Sequence, residues 1–179
     1  MANRERGDCE NIPLTEDSAE NIRNLINCYK NVLVCGVKGV GKITNTVQAV
    51  RDRRNVYYVG NPVDYEGKKR PGSFDKYISY ILSLKNDISI VEDVETLFSV
   101  TDEIILIIDE IYGRSDVELA RISRLLDMPN IRVIQIVGCM KYMAGLIDKI
   151  DAIVELHLDA AFMIEKELGK AICEIFGRK

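Results

Sequence analysis

Short apolar runs alternate along this chain with segments whose apolar positions recur at helical spacing. Val32 to Cys35, Val56 to Val59, Ile104 to Ile108 and Ile131 to Val137 are largely apolar runs. Such runs mark strands buried on both faces. Ile88 to Val91 and Ala152 to Leu156 read as two further strands. Between them, Thr15 is expected to cap a helix with Glu16 and Asp17 in its first turn and Ile22, Leu25, Ile26 and Tyr29 on one face. A second helical period follows Gly41 and carries Ile43, Val47 and Val50. Ser73 can cap a third, with Phe74, Tyr77, Ile78, Ile81 and Leu82 inward, and a short helix is expected near Val94 to Phe98. Ser115 to Glu118 is a capping box that opens a helix carrying Leu119, Ile122, Leu125 and Leu126. Met140 to Lys149 and Ala160 to Phe176 complete the helical segments. Gly60 to Gly72, with its Asn61-Pro62 and Pro71-Gly72 pairs, reads as an exposed loop.

This alternation implies parallel strands joined by helical crossovers that cover both faces of a sheet. The expected fold is α/β: residues 1–14 form a polar lead-in, and residues 15–179 form one three-layer α-β-α domain around a mostly parallel sheet of about five strands.

Composition narrows the function classes. The chain has 179 residues, 47% hydrophobic and 29% charged, with a formal net charge of −4. That balance argues against a polybasic nucleic-acid binder. The aliphatic run Ile104 to Ile108 is far too short to cross a bilayer. The five cysteines (Cys9, Cys28, Cys35, Cys139 and Cys173) are odd in number and widely spaced, and His157 is the single histidine. Reduced thiols, a cytoplasmic location and no multi-histidine metal site are the expectation.

The informative stretch is Gly36, Val37, Lys38, Gly39, Val40, Gly41, Lys42, Ile43 and Thr44. Its G-x-x-x-x-G-K spacing follows a buried strand and opens an amphipathic helix, the context in which a glycine-rich loop cradles phosphates. Glycines let successive N–H groups turn inward on an anion. The start of the helix adds its positive end, and Lys42 supplies a point charge for the terminal phosphates. The Ser or Thr that would ligate magnesium is replaced by Ile43, with the hydroxyl one position later at Thr44. Since one helical residue rotates a side chain by about 100°, magnesium is expected to be held weakly, with Thr44 reaching a phosphate oxygen or the metal.

A second motif, Ile104 to Ile108 followed by Asp109 and Glu110, ends a hydrophobic strand in two carboxylates. In parallel sheets ligands sit outside the C-terminal strand ends. Asp109 is therefore placed to hold magnesium and Glu110 to polarise an attacking water.

Gly36 to Thr44 resembles a Walker A motif, and Ile104 to Glu110 resembles a Walker B motif with the catalytic-glutamate signature. The chain thus looks like a P-loop NTPase with an additional catalytic glutamate, most like an AAA+ ATPase core lacking the helical lid. The resemblance covers roughly residues 15–160, with Ala19 to Gly36, Ile131 to Gly138 and Asp148 to Leu156 similar to further segments of that family. It implies ATP and Mg2+ as ligands, ATP hydrolysis driving a conformational change, and a protein partner or self-association. Where the family places an arginine finger this chain has Lys149. Gln135 is the side chain nearest the expected polar sensor, or else a core polar residue.

Two other readings stand beside the ATPase. One is a nucleotide-gated binding module with little turnover, favoured by Ile43. The other is a small nucleoside triphosphatase or nucleoside kinase, for which the loop 60–72 would have to supply the acceptor pocket. Arg114, Arg121 and Arg124 can reach a neighbouring subunit's phosphate or form a solvated helix face. Residues 51–70 hold six cations against three carboxylates, interleaved with Tyr57, Tyr58 and Tyr65. They form either a nucleic-acid contact or packed tyrosines beside solvated charges.

Overall fold

Six strands form a single sheet in the order β3-β2-β4-β5-β1-β6: β1 (Asn31–Cys35), β2 (Val56–Val59), β3 (Ile88–Ile90), β4 (Ile104–Asp109), β5 (Ile131–Val137) and β6 (Ala152–Glu155). Every pairing between neighbours is parallel. The computed structural model describes residues 17–60, 72–83, 88–111, 114–143 and 145–157. The six strands are the segments read as strands in the sequence, and the sheet is wholly parallel. The lead-in 1–14, most of the loop 60–72 and the segment Ala160 to Phe176 lie outside the described residues.

The central strands are buried on both faces, as their apolar runs require. Alternate residues divide between two cores. Val32, Val34, Ile105, Ile107, Ile134 and Ile136 pack against Ile22 and Ile26 of helix α1 (Ser18–Cys28), Val47 of α2 (Lys42–Ala49) and Ile78 and Ile81 of α3 (Gly72–Ser83). Leu33, Leu106, Ile108, Val133 and Val137 pack against Ile122, Leu125 and Leu126 of α4 (Asp116–Asp127), and against Val94, Leu97, Met143 and Leu146 of shorter turns.

Handedness explains this division. The chain runs outward from β1 to β2 and β3, and right-handed crossovers place α2 and α3 on one face. From β3 it returns through β4 and β5 to β6, so the same rule puts Val94–Ser99, α4 and the turns Met140–Met143 and Ile147–Lys149 on the other face. Connections therefore leave the adjacent strands β1 and β5 toward opposite faces. That is a topological switch point, the place where open parallel sheets carry their ligand crevice, outside the C-terminal strand ends.

Several local expectations are corrected. Helix α1 starts at Ser18 with Asp17 as its cap, because the Asp17 side chain accepts from the amides of Ala19 and Glu20. Helix α3 starts at Gly72, one residue ahead of Ser73. Val94–Ser99 is a 3-10 helix capped by Asp93. Met140 to Lys149 is not one α-helix but two 3-10 turns, Met140–Met143 and Ile147–Lys149. Gly145, at φ 85, interrupts it in the left-handed region, where glycine ends helices. Met143 and Leu146, on either side of this break, are both buried. The capping box at Ser115 and Glu118 forms as expected. Among the described residues no helix is long and apolar enough to cross a membrane.

Candidate functional site

The glycine loop leaves β1 at the switch point. Gly36, Gly39 and Gly41 all have positive φ (146, 88 and 85). At Gly36 a β-carbon would collide with the Leu156 carbonyl oxygen just beyond β6, so only glycine lets the chain turn there. Gly41 is the N-cap of α2 and brings no side-chain cap.

Lys42 is buried, and its Nζ donates to Gly36 O at 2.7 Å and Val37 O at 3.1 Å. The lysine closes the loop upon itself. Burial lowers its pKa from the ordinary value, while the nearby Glu110 and Asp109 carboxylates and Cys35 pull it back up. Glycine loop and acidic strand end are therefore electrostatic neighbours across the crevice. Val37, Lys38 and Gly39 are exposed and Val40 is half-buried. Ile43 packs against the core beneath α1 to α3, so the usual hydroxyl position of the motif faces apolar side chains. Thr44 is half-buried.

From β4, Asp109 is 2% exposed and accepts a 3.1 Å hydrogen bond from Tyr58 Oη. Tyr58 was legible only as a strand tyrosine; that its hydroxyl would reach Asp109 depends on β2 lying beside β4. Glu110 has a left-handed backbone (φ 52). Its amide donates to Ile136 O at 2.8 Å, and its carboxylate accepts from the Gly138 amide at 3.0 Å. Both of those contacts come from β5 and the residue following it.

Arg114, Arg121 and Arg124 are engaged within the chain. The Arg114 side chain is buried and donates to the carbonyls of Gly60, Asp109 and Glu110, so it is neither a solvated residue nor one reaching outward. Arg121 pairs with Glu95 at 2.8 Å, and Arg124 stacks on Phe98, 4.4 Å from the ring centroid. Lys149 donates to Ser123 O and pairs with Asp127, ahead of β6 and away from the loop end of the sheet. Gln135 is fully buried in register with Leu33 and Ile108, and neither side-chain polar atom has a hydrogen-bond partner. It sits inside the apolar layer rather than at the crevice. The basic stretch is also partly spent: Asp52 pairs with Arg51 and Arg23, and Arg53 donates to Asn27. Tyr58 is buried and Tyr57 half-buried in the sheet.

The residues fit a magnesium-bound polyphosphate. Two neutral carbonyls are a poorer partner for the buried Lys42 ammonium than an anion would be, since charge-assisted bonds to phosphate are stronger. Among the described residues no cluster of three or more His, Cys, Asp or Glu gathers for a metal ion. Magnesium bound with nucleotide does not require one, because it takes one or two carboxylates together with phosphate oxygens and water. Asp109, at the end of β4, could supply such a carboxylate.

No family model and no curated protein matches the chain. Among solved structures it is similar to a chain in the structure of Drosophila ORC bound to GC-rich DNA and Cdc6, with 12% identity and a TM-score of 0.42. That alignment covers 82% of this chain and 63% of the other's length.

Proposed function

We propose that this α/β domain is a P-loop NTPase that binds ATP with Mg2+ and hydrolyses it to ADP and phosphate. One observation carries the reading. The glycine loop with buried Lys42 and the Asp109-Glu110 strand end share the C-terminal edge of one parallel sheet, around its switch point. The loop amides of residues 36–44 and Lys42 would bind the phosphates, with Lys42 exchanging its two carbonyls for phosphate oxygens. Asp109, with Thr44 as a second candidate, would hold the metal, whose charge offsets that of the phosphate oxygens when bound. Glu110 would accept a proton from the attacking water. Coupling of this cycle to a partner protein or to self-association belongs to the same proposal.

A second reading is favoured by two contacts, the core packing of Ile43 and the hold of Gly138 on Glu110. It is a nucleotide-gated module that turns over slowly. Titration with labelled ATP and GTP, with and without magnesium, together with phosphate release, separates the two. For the ATPase, Lys42→Ala loses binding, while Glu110→Gln keeps nucleotide and loses about a hundredfold or more in turnover. Tight binding without turnover in the unmodified protein selects the module. Absence of magnesium-nucleotide binding refutes both.

A further inference from the structure

Arg114 stands four residues beyond Glu110, just ahead of α4, and its side chain is only 5% exposed. Its Nε donates to Glu110 O at 3.1 Å, and its Nη2 to Gly60 O at 2.9 Å and Asp109 O at 3.4 Å. Those carbonyls lie at the ends of two neighbouring strands, β2 and β4. The planar guanidinium offers five N–H groups in a fixed fork, so it can span several carbonyls at once where an ammonium cannot. Its carboxylate neighbour, Glu118, is 3.7 Å away and largely committed to Ser115. Burying a cation against main-chain oxygens is costly compared with an apolar side chain, so the contact is specific to what it holds.

What it holds is Glu110 in a conformation that L-residues rarely adopt (φ 52). From the opposite side β5 takes the Glu110 amide through Ile136 O, and Gly138 takes the carboxylate. A β-carbon on Gly138 would stand 3.3 Å from Glu110 Oε1. Glu110 is thus held through its carbonyl on one side and through its amide and carboxylate on the other.

We infer that Arg114 is a positioning residue for Glu110, acting through the carbonyls of Asp109, Glu110 and Gly60 to aim the carboxylate across the crevice. This rests on reading Glu110 as the base of the proposed hydrolysis.

The test compares Arg114→Lys, Arg114→Gln and Glu118→Gln with the unmodified chain, by steady-state ATP turnover, nucleotide affinity and hydrogen exchange at the Gly138 amide. Loss of the fork should lower kcat by about a hundredfold, the scale of a misplaced catalytic group. Kd should stay within about threefold, because the loss falls on the chemical step and not on binding. The Gly138 amide should exchange faster in both Arg114 variants as its acceptor swings away. Glu118→Gln removes the charge that faces Arg114, keeps an amide oxygen to accept from Ser115, and should leave all three readouts unchanged. Equal kcat and equal Gly138 protection in a folded Arg114 variant overturns the inference, as does an equivalent kcat loss in Glu118→Gln. If the unmodified protein shows no turnover, the hydrolysis proposal falls, and Gly138 exchange alone then decides whether Arg114 positions Glu110.

Discussion

Replacing Gly36 by Ala tests whether the glycine loop is pressed against the end of β6. At φ 146 an L-residue is strained, and holding one in such a sparsely populated region costs about 1–3 kcal/mol. The added methyl would also overlap the Leu156 carbonyl oxygen and stand 3.1 Å from Val40 Cγ1. Leu156 cannot step aside freely, because its amide donates to Cys35 O at 2.8 Å as the β1–β6 ladder ends. Relieving the overlap means moving backbone, which adds about 1–3 kcal/mol as in other overpacked sites. Together the penalty is about 4 kcal/mol, roughly 10 °C in midpoint for a domain of this size. Gly145 is the internal control. It has φ 85, and among the described residues a β-carbon there would meet nothing within 4 Å, so Gly145→Ala carries only the conformational cost of about 1–2 kcal/mol. Urea and thermal unfolding of both variants without nucleotide, followed by circular dichroism, measures the difference. Gly36→Ala should be the less stable by about 2 kcal/mol. If the two agree within about 0.5 kcal/mol, the usual scatter for surface changes, the loop does not pass against Leu156 and the site geometry described above is wrong.

Two further outcomes follow from groups outside the crevice. Gln135→Leu removes a buried amide whose nitrogen and oxygen both lack partners. It should raise stability by about 1–2 kcal/mol in urea unfolding, because an unsatisfied buried polar group carries its full desolvation penalty; a loss instead would mean that the amide is satisfied by bound water. Ser115→Ala should lower stability by about 1 kcal/mol near neutral pH, the usual worth of an N-cap. The Glu118 carboxyl is held below the ordinary glutamate range, chiefly by the Ser115 amide and also by its hydroxyl and Arg114. A depressed carboxylate pKa contributes stability that is complete above the unfolded value and fades as pH falls through the lower folded one. Unfolding between about pH 3 and 7 should therefore show the Ser115→Ala deficit shrinking on the acid side, and a deficit independent of pH would refute this.

The legible and illegible parts of the molecule divide by the range of the interaction that fixes them. Strands β1 and β4 announce themselves because burial on both faces demands unbroken apolar sequence, and Ser115 with Glu118 makes a capping box from residues three apart. The glycine loop is legible because its positive φ values fall on glycines of one short motif. Where one position decides between helix and turn the pattern misleads, as at Gly145, whose left-handed backbone splits a segment with helix-like apolar spacing. Strand order is a further step removed. Tyr58 meets Asp109 only because β2 lies beside β4, and Glu110 meets Gly138 only because β5 lies between β4 and β1. Arg114 is the extreme case. On a helical wheel it is one of several arginines near α4, yet folded it is a buried cation joining the ends of two strands. The motif residues thus specify which groups are available for chemistry, while crossover handedness and strand order decide what holds them. For that reason the residues most informative about how Glu110 is aimed, Arg114 and Gly138, lie outside both motifs.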